Sequence, residues 1–504
     1  MTFSRRAFLR HTAVGTVALS AAGLPLLEAC TPTVPPVSTT TAPAATVSAA
    51  GAFPAFIPQV NKPTPDFPAP GEQYMDGYNN YPRNPARALP SEPPGRGGTV
   101  TSLTVGVLPP HAPLDQNAAW QEINKRLGVD FKFDVVPNSD YAAKMATVMA
   151  GGDPPDLLFF YYQQQTAITT VPGVPQYLQA QAADLTPYLA GDAIKDYPHL
   201  AAIPTYAWKN SGSVYKGRVQ MVPRPFYSEG FVLLKNDAIW DREIGKDTVP
   251  KNADDWKRIL QTLNRPTENR YAMGTSNDFG INSYASIFGA PNVWRLDSGG
   301  RLIRNYETPE YREAVAFARE QYAAGLYHPN TLQWASGVVA RPDFVAGRFV
   351  IGIDGFATAW AEPWRRARAA TPAYDITTVP LFAAHDGQKP QHFVNAGHFG
   401  ATALKKASSP DRVKELLRIL NWLAAPFGSE EDLLLTAGVE GTDYHLDANG
   451  NPVLTERGNP DAAYLPFKYV AQHRPVLYLP DIPQYAQVLH ETEKRLLPNA
   501  VADP

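Results

Sequence analysis

Residues 101–161 read TSLTVGVLPPHAPLDQNAAWQEINKRLGVDFKFDVVPNSDYAAKMATVMAGGDPPDLLFFY, and the spacing of their apolar positions switches repeatedly between two periods. TSLTVGV, from Thr101, reads as a strand. AAWQEINKRLG then places Trp120, Ile123 and Leu127 on one helical face and stops at Gly128. In DFKFDVV (130–136) Phe131, Phe133 and Val135 alternate, as on a strand. SDYAAKMATVMAGGD predicts a helix capped by Ser139 or Asp140, with Tyr141, Met145, Val148 and Met149 at helical spacing and Gly151-Gly152 as its terminator. DLLFFY (156–161) is a short continuous apolar strand. The order β-α-β-α-β predicts a parallel sheet covered on both faces.

Downstream of Val222 the pattern restarts. FVLLK reads as a strand, NDAIWDREIG as a helix, and ADDWKRILQTL as a helix capped by Asn252 with Trp256, Ile259, Leu260 and Leu263 inward. TPEYREAVAFAREQYAAG has Thr308 as N-cap, Pro309 in the first turn, a face of Tyr311, Ala314, Val315, Ala318 and Tyr322, and Gly325 as stop. RFVIGID (348–354), YDITTVPLF (374–382) and HFVNAGHFGATAL (392–404) read as strands. SSPDRVKELLRILNWLAA gives a helix capped by Ser409 with Val413, Leu416, Leu417, Leu420 and Leu423 on its core face. This is a second α/β body.

Upstream, residues 51–98 stay proline-rich but carry Phe53, Phe56, Ile57, Phe67, Tyr74, Tyr78 and Tyr81, and read as an extended arm docked partly on the folded body. Residues 31–50, TPTVPPVSTTTAPAATVSAA, have no charge and no apolar period, so they read as a tether. Before them, Arg5 and Arg6 precede an apolar run, Ala13 to Leu27, of 15 residues. That is shorter than the roughly 20 residues needed to span a bilayer core, so it reads as an export signal. Ser4 to Arg10, SRRAFLR, resembles the twin-arginine signal. Leu27-Glu28-Ala29-Cys30 resembles a lipobox, with Glu28 where a small residue is usual; Cys30, the single cysteine of the chain, is then the lipidated residue at the mature N-terminus. The competing reading is an apolar first helix and a chance cysteine.

The chain has 504 residues, 45 basic and 48 acidic, for a formal net charge of −3. That balance leaves no footprint for nucleic acid or an anionic membrane. Without signal and tether, about 400 residues remain, more than the roughly 250–300 at which one core stops growing, so two lobes are expected. The 24 Tyr, 22 Phe and 9 Trp exceed what a core recruits, which suggests that some line a binding surface.

The order of these pieces resembles the bacterial extracellular solute-binding proteins of the family that includes the maltose-binding type, especially its lipoprotein branch. The resemblance runs from about Thr99 to Ala500 and rests on several stretches in order. GGDPPDLL (151–158) resembles the turn into the third strand, and VYKGRVQMVPRPFYSEGFVLLKNDAIW a first crossing between lobes, followed by Pro250 to Trp256. FGAPNVWRLDSGGRL, the TPEY helix with AAGLYHP, and AGRFVIGIDG resemble second-lobe elements; GVEGTDYHLDANGNP resembles a loop of the lipoprotein branch, and LPDIPQYAQV a late segment that reaches the cleft. The resemblance implies an α/β, two-lobed type 2 periplasmic-binding-protein fold with crossing strands forming a hinge. Its segments would be 1–29 signal peptide, 30–98 lipidated Cys and Pro-rich arm, 99–225 and 395–438 first lobe, and 226–394 and 439–504 second lobe with C-terminal helices. It also implies a monomer that holds a sugar, an oligosaccharide by the number of aromatics, and delivers it to the membrane subunits of an ABC importer, anchored to the membrane by lipid.

A sugar offers flat C–H faces to aromatic rings and hydroxyls to fixed polar groups, so candidate contacts are aromatic–polar pairs at strand ends. Tyr161 and Tyr162 end the third strand, at the carboxyl edge where open parallel sheets present ligand sites; the same rings could simply continue the strand as core. Arg224, Phe226 and Tyr227 sit where the chain would cross between lobes, with hinge packing as the alternative. Trp294 lies in the turn-rich GAPNVW. Asp354, Phe356 and Trp360 follow a strand and a glycine, where maltose-type members place a stacking tryptophan. Asn395 belongs to the second crossing, and Glu440 and Tyr444 to a glycine-flanked loop whose acid could equally be solvated. The spacing of Trp208 and Trp334 does not separate them from core.

Enzyme signatures are missing: there is no G-x-S-x-G, H-E-x-x-H, P-loop or G-x-G-x-x-G. His392 and His398 lack a usual zinc spacing, and DANGNP from Asp447 has glycines in the wrong places for an EF-hand. No cofactor or metal is expected. The alternative to a binding protein is a tethered glycan-active hydrolase using two cleft carboxylates far apart in sequence, which would need no local motif.

Overall fold

The computed structural model describes residues 53–59, 62–161, 172–334, 337–356, 367–371, 375–407, 409–482 and 484–503. Cys30, Glu28, the twin-arginine stretch, the tether, Tyr162 and Trp360 lie outside them.

The opening stretch forms strands Thr99–Gly106, Asp130–Pro137 and Leu157–Tyr161, with helices Ala118–Leu127 and Tyr141–Ala150 between them. The strands pair in parallel. His398–Leu404 joins antiparallel to Leu157–Tyr161, and Met221–Pro225, antiparallel to it, lies beyond in the direction of the first three, so the expected parallel sheet becomes a mixed sheet of five. Asn117 caps the 118–127 helix by accepting from the Trp120 N–H, and Gly128 closes it in the left-handed region. On one face of the sheet Val100, Phe131 and Leu157 meet that helix and helix Pro410–Leu423. On the other, Leu103, Val105 and Phe160 meet Met145 and Met149. All five predicted core positions of helix 410–423 are buried, each stabilising by about 1.5–3 kcal/mol.

The second body is a four-stranded sheet in the order Ile376–Thr378, Phe231–Asn236, Phe349–Gly355, Tyr271–Gly274. Helices Ala253–Leu263, Ile281–Phe288 and Pro309–Ala323 contribute to the core on one side, and Tyr485–Leu496 to the core that holds Leu234 and Phe349. The 309–323 helix is capped by Thr308 as predicted, but its buried stripe is Ala314, Phe317, Ala318 and Gln321, whereas Val315 and Tyr322 are exposed. Phe317 turns the helix, because its ring packs at 5.1 Å from Tyr284 and 5.4 Å from Phe288. Of the predicted strand 374–382 only Ile376–Thr378 pairs, and the predicted strand 392–404 breaks into His392–Phe393 and His398–Leu404.

That break matters, because the chain passes between the two sheets there and at 226–230. The two passages are bonded to each other: Phe226 N–H donates to Gly397 O at 3.0 Å and Asn395 N–H to Ser228 O at 2.7 Å. Gly230 is obligatory between them, since its φ is +70° and a Cβ would stand 2.6 Å from Phe393 O.

The tail divides differently from the expected boundary at 439. Ala462, Leu465, Phe467, Val470 and Ala471 pack into the first body's core, and only Leu477 onward joins the second, because helix Phe467–Val470 supplies the apolar cover that the first sheet needs. The arm touches both bodies. Ala55 N–H donates to Gly191 O and Ile57 N–H to Ala201 O in the first, while Gly77–Tyr78 pairs in parallel with Leu477–Tyr478 beside the second.

Candidate ligand-binding site

The ends of three adjacent strands set the geometry. Gly400 pairs with Tyr161 on one side and with Arg224 on the other, so the three residues form a row at the edge where the chain leaves the first body. Residues directly opposite each other project to the same face, and Gly400 contributes no side chain between its neighbours. Phe399 joins from the next position, its ring 5.0 Å from Tyr161 and 5.4 Å from Phe226. Tyr469, on helix 467–470, stacks on Phe399 at 5.7 Å and 23°. The Tyr141 hydroxyl donates to Phe159 O and accepts from the Tyr161 N–H, which fixes the strand end.

Arg224 stands within these rings. Its guanidinium carbon lies 4.6 Å from the Phe399 centroid and 5.5 Å from those of Phe226 and Tyr469. All its hydrogen bonds leave from Nε, to Lys468 O at 2.8 Å and Gln472 Oε1 at 3.0 Å, while Nη1 is buried without a partner. Burial lowers its pKa to about 10, so it remains a cation at neutral pH. Lys468 donates from Nζ to Ala463 O at 2.9 Å, and burial, followed by the charge of Arg224, lowers its pKa to about 8. Neither forms an ion pair with any described residue.

Tyr161, Arg224 and Phe226 are thus gathered together, and the Tyr227 ring lies tilted against Phe226 at 4.0 Å while packing into the core with Met75 and Phe356. The Phe356 ring is fully buried there, and its N–H donates to Gly230 O. Asp354 is engaged by Arg341, whose Nε and Nη2 donate to it at 2.7 and 3.3 Å, and by the Gly355 N–H at 2.8 Å. Asn395, on the second passage, lines a cavity of about 290 Å³ with Phe231, Asn282, Ser286, Thr378 and Gln391. Phe231 is 57% exposed, an aromatic surface at a strand start.

Three candidates lie elsewhere. Trp294 opens a hairpin pairing with Leu302–Arg304, and the Arg304 guanidinium covers its ring at 4.7 Å. Glu440 and Tyr444 line a surface groove with Gln121, Arg126 and Glu430; burial raises the pKa of Tyr444. The sequence reading missed Phe399, Tyr469, Lys468, Gln472 and Phe231. Phe231 heads an apolar run that reads as core, and FKYV is too short for periodicity to reveal which side faces the strands. Among the described residues no group of three His, Cys, Asp or Glu side chains is placed to hold a metal ion.

Two α/β bodies joined by paired passages define a class, and the sequence agrees. Residues 111–426 match the family described as bacterial extracellular solute-binding protein, more than half of the chain, and the protein belongs to it. Within that class, the lipoprotein LipO of Bacillus subtilis (strain 168) is 25% identical over 354 residues, covering 68% of this chain and 66% of its own length, just under two thirds. Three solved structures are similar. An extracellular solute-binding protein from Bifidobacterium longum subsp. infantis has a TM-score of 0.54 at 13% identity over 80% of this chain and 82% of its own. The alginate-binding protein AlgQ2, without calcium ion, has 0.53 at 13% over 82% and 85%. FusA of S. pneumoniae in complex with kestose has 0.52 at 15% over 80% and 84%. At such identities the likeness concerns the fold.

Proposed function

We propose that this protein is the extracytoplasmic substrate-binding lipoprotein of an ABC importer and that its ligand is a carbohydrate, an oligosaccharide, held between the two lobes. The observation that carries the reading is the group of rings Tyr161, Phe226, Phe399 and Tyr469 gathered around one cation where the chain passes between lobes. Rings stack on the C–H faces of sugars, and a fixed N–H donor orients a hydroxyl. AlgQ2, named for alginate, and FusA with kestose share the fold and support the ligand class. The two passages act as the hinge: a ligand touching both lobes favours the closed state by its differential contacts there, and that state engages the permease. Cys30 is the lipid anchor; among the described residues no helix is long and apolar enough to cross a membrane.

The purified protein is titrated calorimetrically against a panel of oligosaccharides, and the sugar is recovered for mass spectrometry. Micromolar or tighter binding with intact sugar is expected. Cleaved sugar would replace this reading by the hydrolase, and absence of binding across the panel would remove the carbohydrate. Palmitate labelling in cells, lost in Cys30→Ala, tests the anchor.

A further inference from the structure

Among the described residues, several cations that are buried or nearly so are paired. Arg341 meets Asp354, Arg270 meets Glu243, and Lys235 meets Asp237. Arg224, only 8% exposed, meets no carboxylate among the described residues, and neither does Lys468, whose backbone oxygen it holds. Desolvating a charge is unfavourable unless it is paired. The surrounding rings return only part of that cost, and Nη1 has no hydrogen-bond partner among the described residues. Holding Nε to the 467–470 helix region leaves the Nη1–Nη2 fork uncommitted, and two oxygens of one planar anion match such a fork. The place is the end of strand 221–225, two residues before the passage between lobes.

We infer that the ligand carries a carboxylate, as in an oligosaccharide of uronic acid units, and that Arg224, backed by Lys468, receives it. This rests on the carbohydrate reading above and adds a charge class to it. Nothing in the balanced net charge of the chain announces it, because the anion is met by two side chains alone. The ligand's carboxylate completes for Arg224 the pair that Arg341, Arg270 and Lys235 find within the protein.

The test uses matched ligands. Trimers of galacturonate and of glucuronate, their carboxyl-reduced counterparts and a sulfated disaccharide are titrated calorimetrically into the wild-type protein. A charged hydrogen-bonded pair predicts that at least one acid trimer binds about 10- to 100-fold more tightly than its reduced form. In Arg224→Gln that ratio falls to about threefold or less, and Arg224→Lys, which keeps the charge but not the fork, gives an intermediate ratio; thermal melting checks that both variants are folded. Equal binding of acid and reduced trimers overturns the inference and leaves the carbohydrate reading standing. Failure of every saccharide overturns both. Tighter binding of the sulfated sugar than of either uronate, or an unchanged ratio in a folded Arg224→Gln, also overturns it. The wild-type comparison needs no variant to fold.

Discussion

Glu493→Gln is expected to make the protein more stable at neutral pH. Glu493, on helix 485–496, is fully buried, accepts the Met75 N–H at 3.1 and 3.3 Å, and is met by Glu229 of the first passage, also fully buried. Burial first, and then the neighbouring charge of Glu229, raises the Glu493 pKa far above the usual carboxylate range, so the folded protein keeps a proton there. An unfolded glutamate loses its proton near pH 4.5. A group whose folded pKa is raised contributes stability that is complete below the unfolded value and is lost as pH rises, at about 1.4 kcal/mol per pH unit. By pH 7 that loss is roughly 3 kcal/mol. Gln cannot ionise, still accepts the Met75 N–H, and offers an N–H to Glu229 in place of the Glu493 proton. The variant should therefore melt about 3 °C higher at pH 7, taking about 1 kcal/mol per degree for a chain of this size, and no higher at pH 4.5. Thermal unfolding of both proteins at the two pH values is the assay. Parallel shifts of the two melting curves with pH, or a variant less stable at pH 7, would refute the reasoning.

Two further outcomes are expected. His199 and His398 are buried, and burial lowers both to a pKa of about 4, below the usual 6.5; stability is complete above pH 6.5 and is lost as pH falls towards 4, by up to roughly 3 kcal/mol for each. This opposes the Glu493 contribution between pH 4.5 and 6.5, so Glu493→Gln should show a steeper acid loss than wild type, and His199→Gln a shallower one, in denaturant melts across that range. A Cβ at Gly400 would stand 2.3 Å from Phe160 O and 2.5 Å from the Phe159 ring. Gly400→Ala should cost at least about 1–3 kcal/mol and weaken ligand binding by separating Tyr161 from Arg224, and unchanged melting would contradict it.

The helices legible in the sequence were those whose apolar stripe and cap agree. Helix 253–263 buries Trp256, Ile259, Leu260 and Leu263 with Asn252 as cap, and helix 410–423 does the same under Ser409. Helix 309–323 shows the limit. Tyr322 and Phe317 are both aromatic and differ by 5 residues, so periodicity allows either face, and only the rings of Tyr284 and Phe288 choose Phe317. The strand 392–404 shows another. Alternation persists through Val394–Gly397, but the backbone there must pass between bodies and pairs with Ser228 and Phe226 instead of a ladder. At the site, Tyr161, Arg224 and Phe226 could be named because they end strands or follow them. Lys468, Tyr469 and Gln472, more than 240 residues from Arg224 along the chain, could not, because nothing local links a four-residue helix to a strand end.

The sequence alone determined the local order of strands and helices, the caps and the inward stripes, because these depend on neighbours within one or two turns. It also placed the family, through the order of those pieces. Only the tertiary structure decided that the first lobe takes back the segment 462–471, that Arg224 stands among aromatic rings, and that no carboxylate of the described residues comes to meet it. Whether a buried charge is paired depends on every element packed around it, and these elements come from opposite ends of the chain.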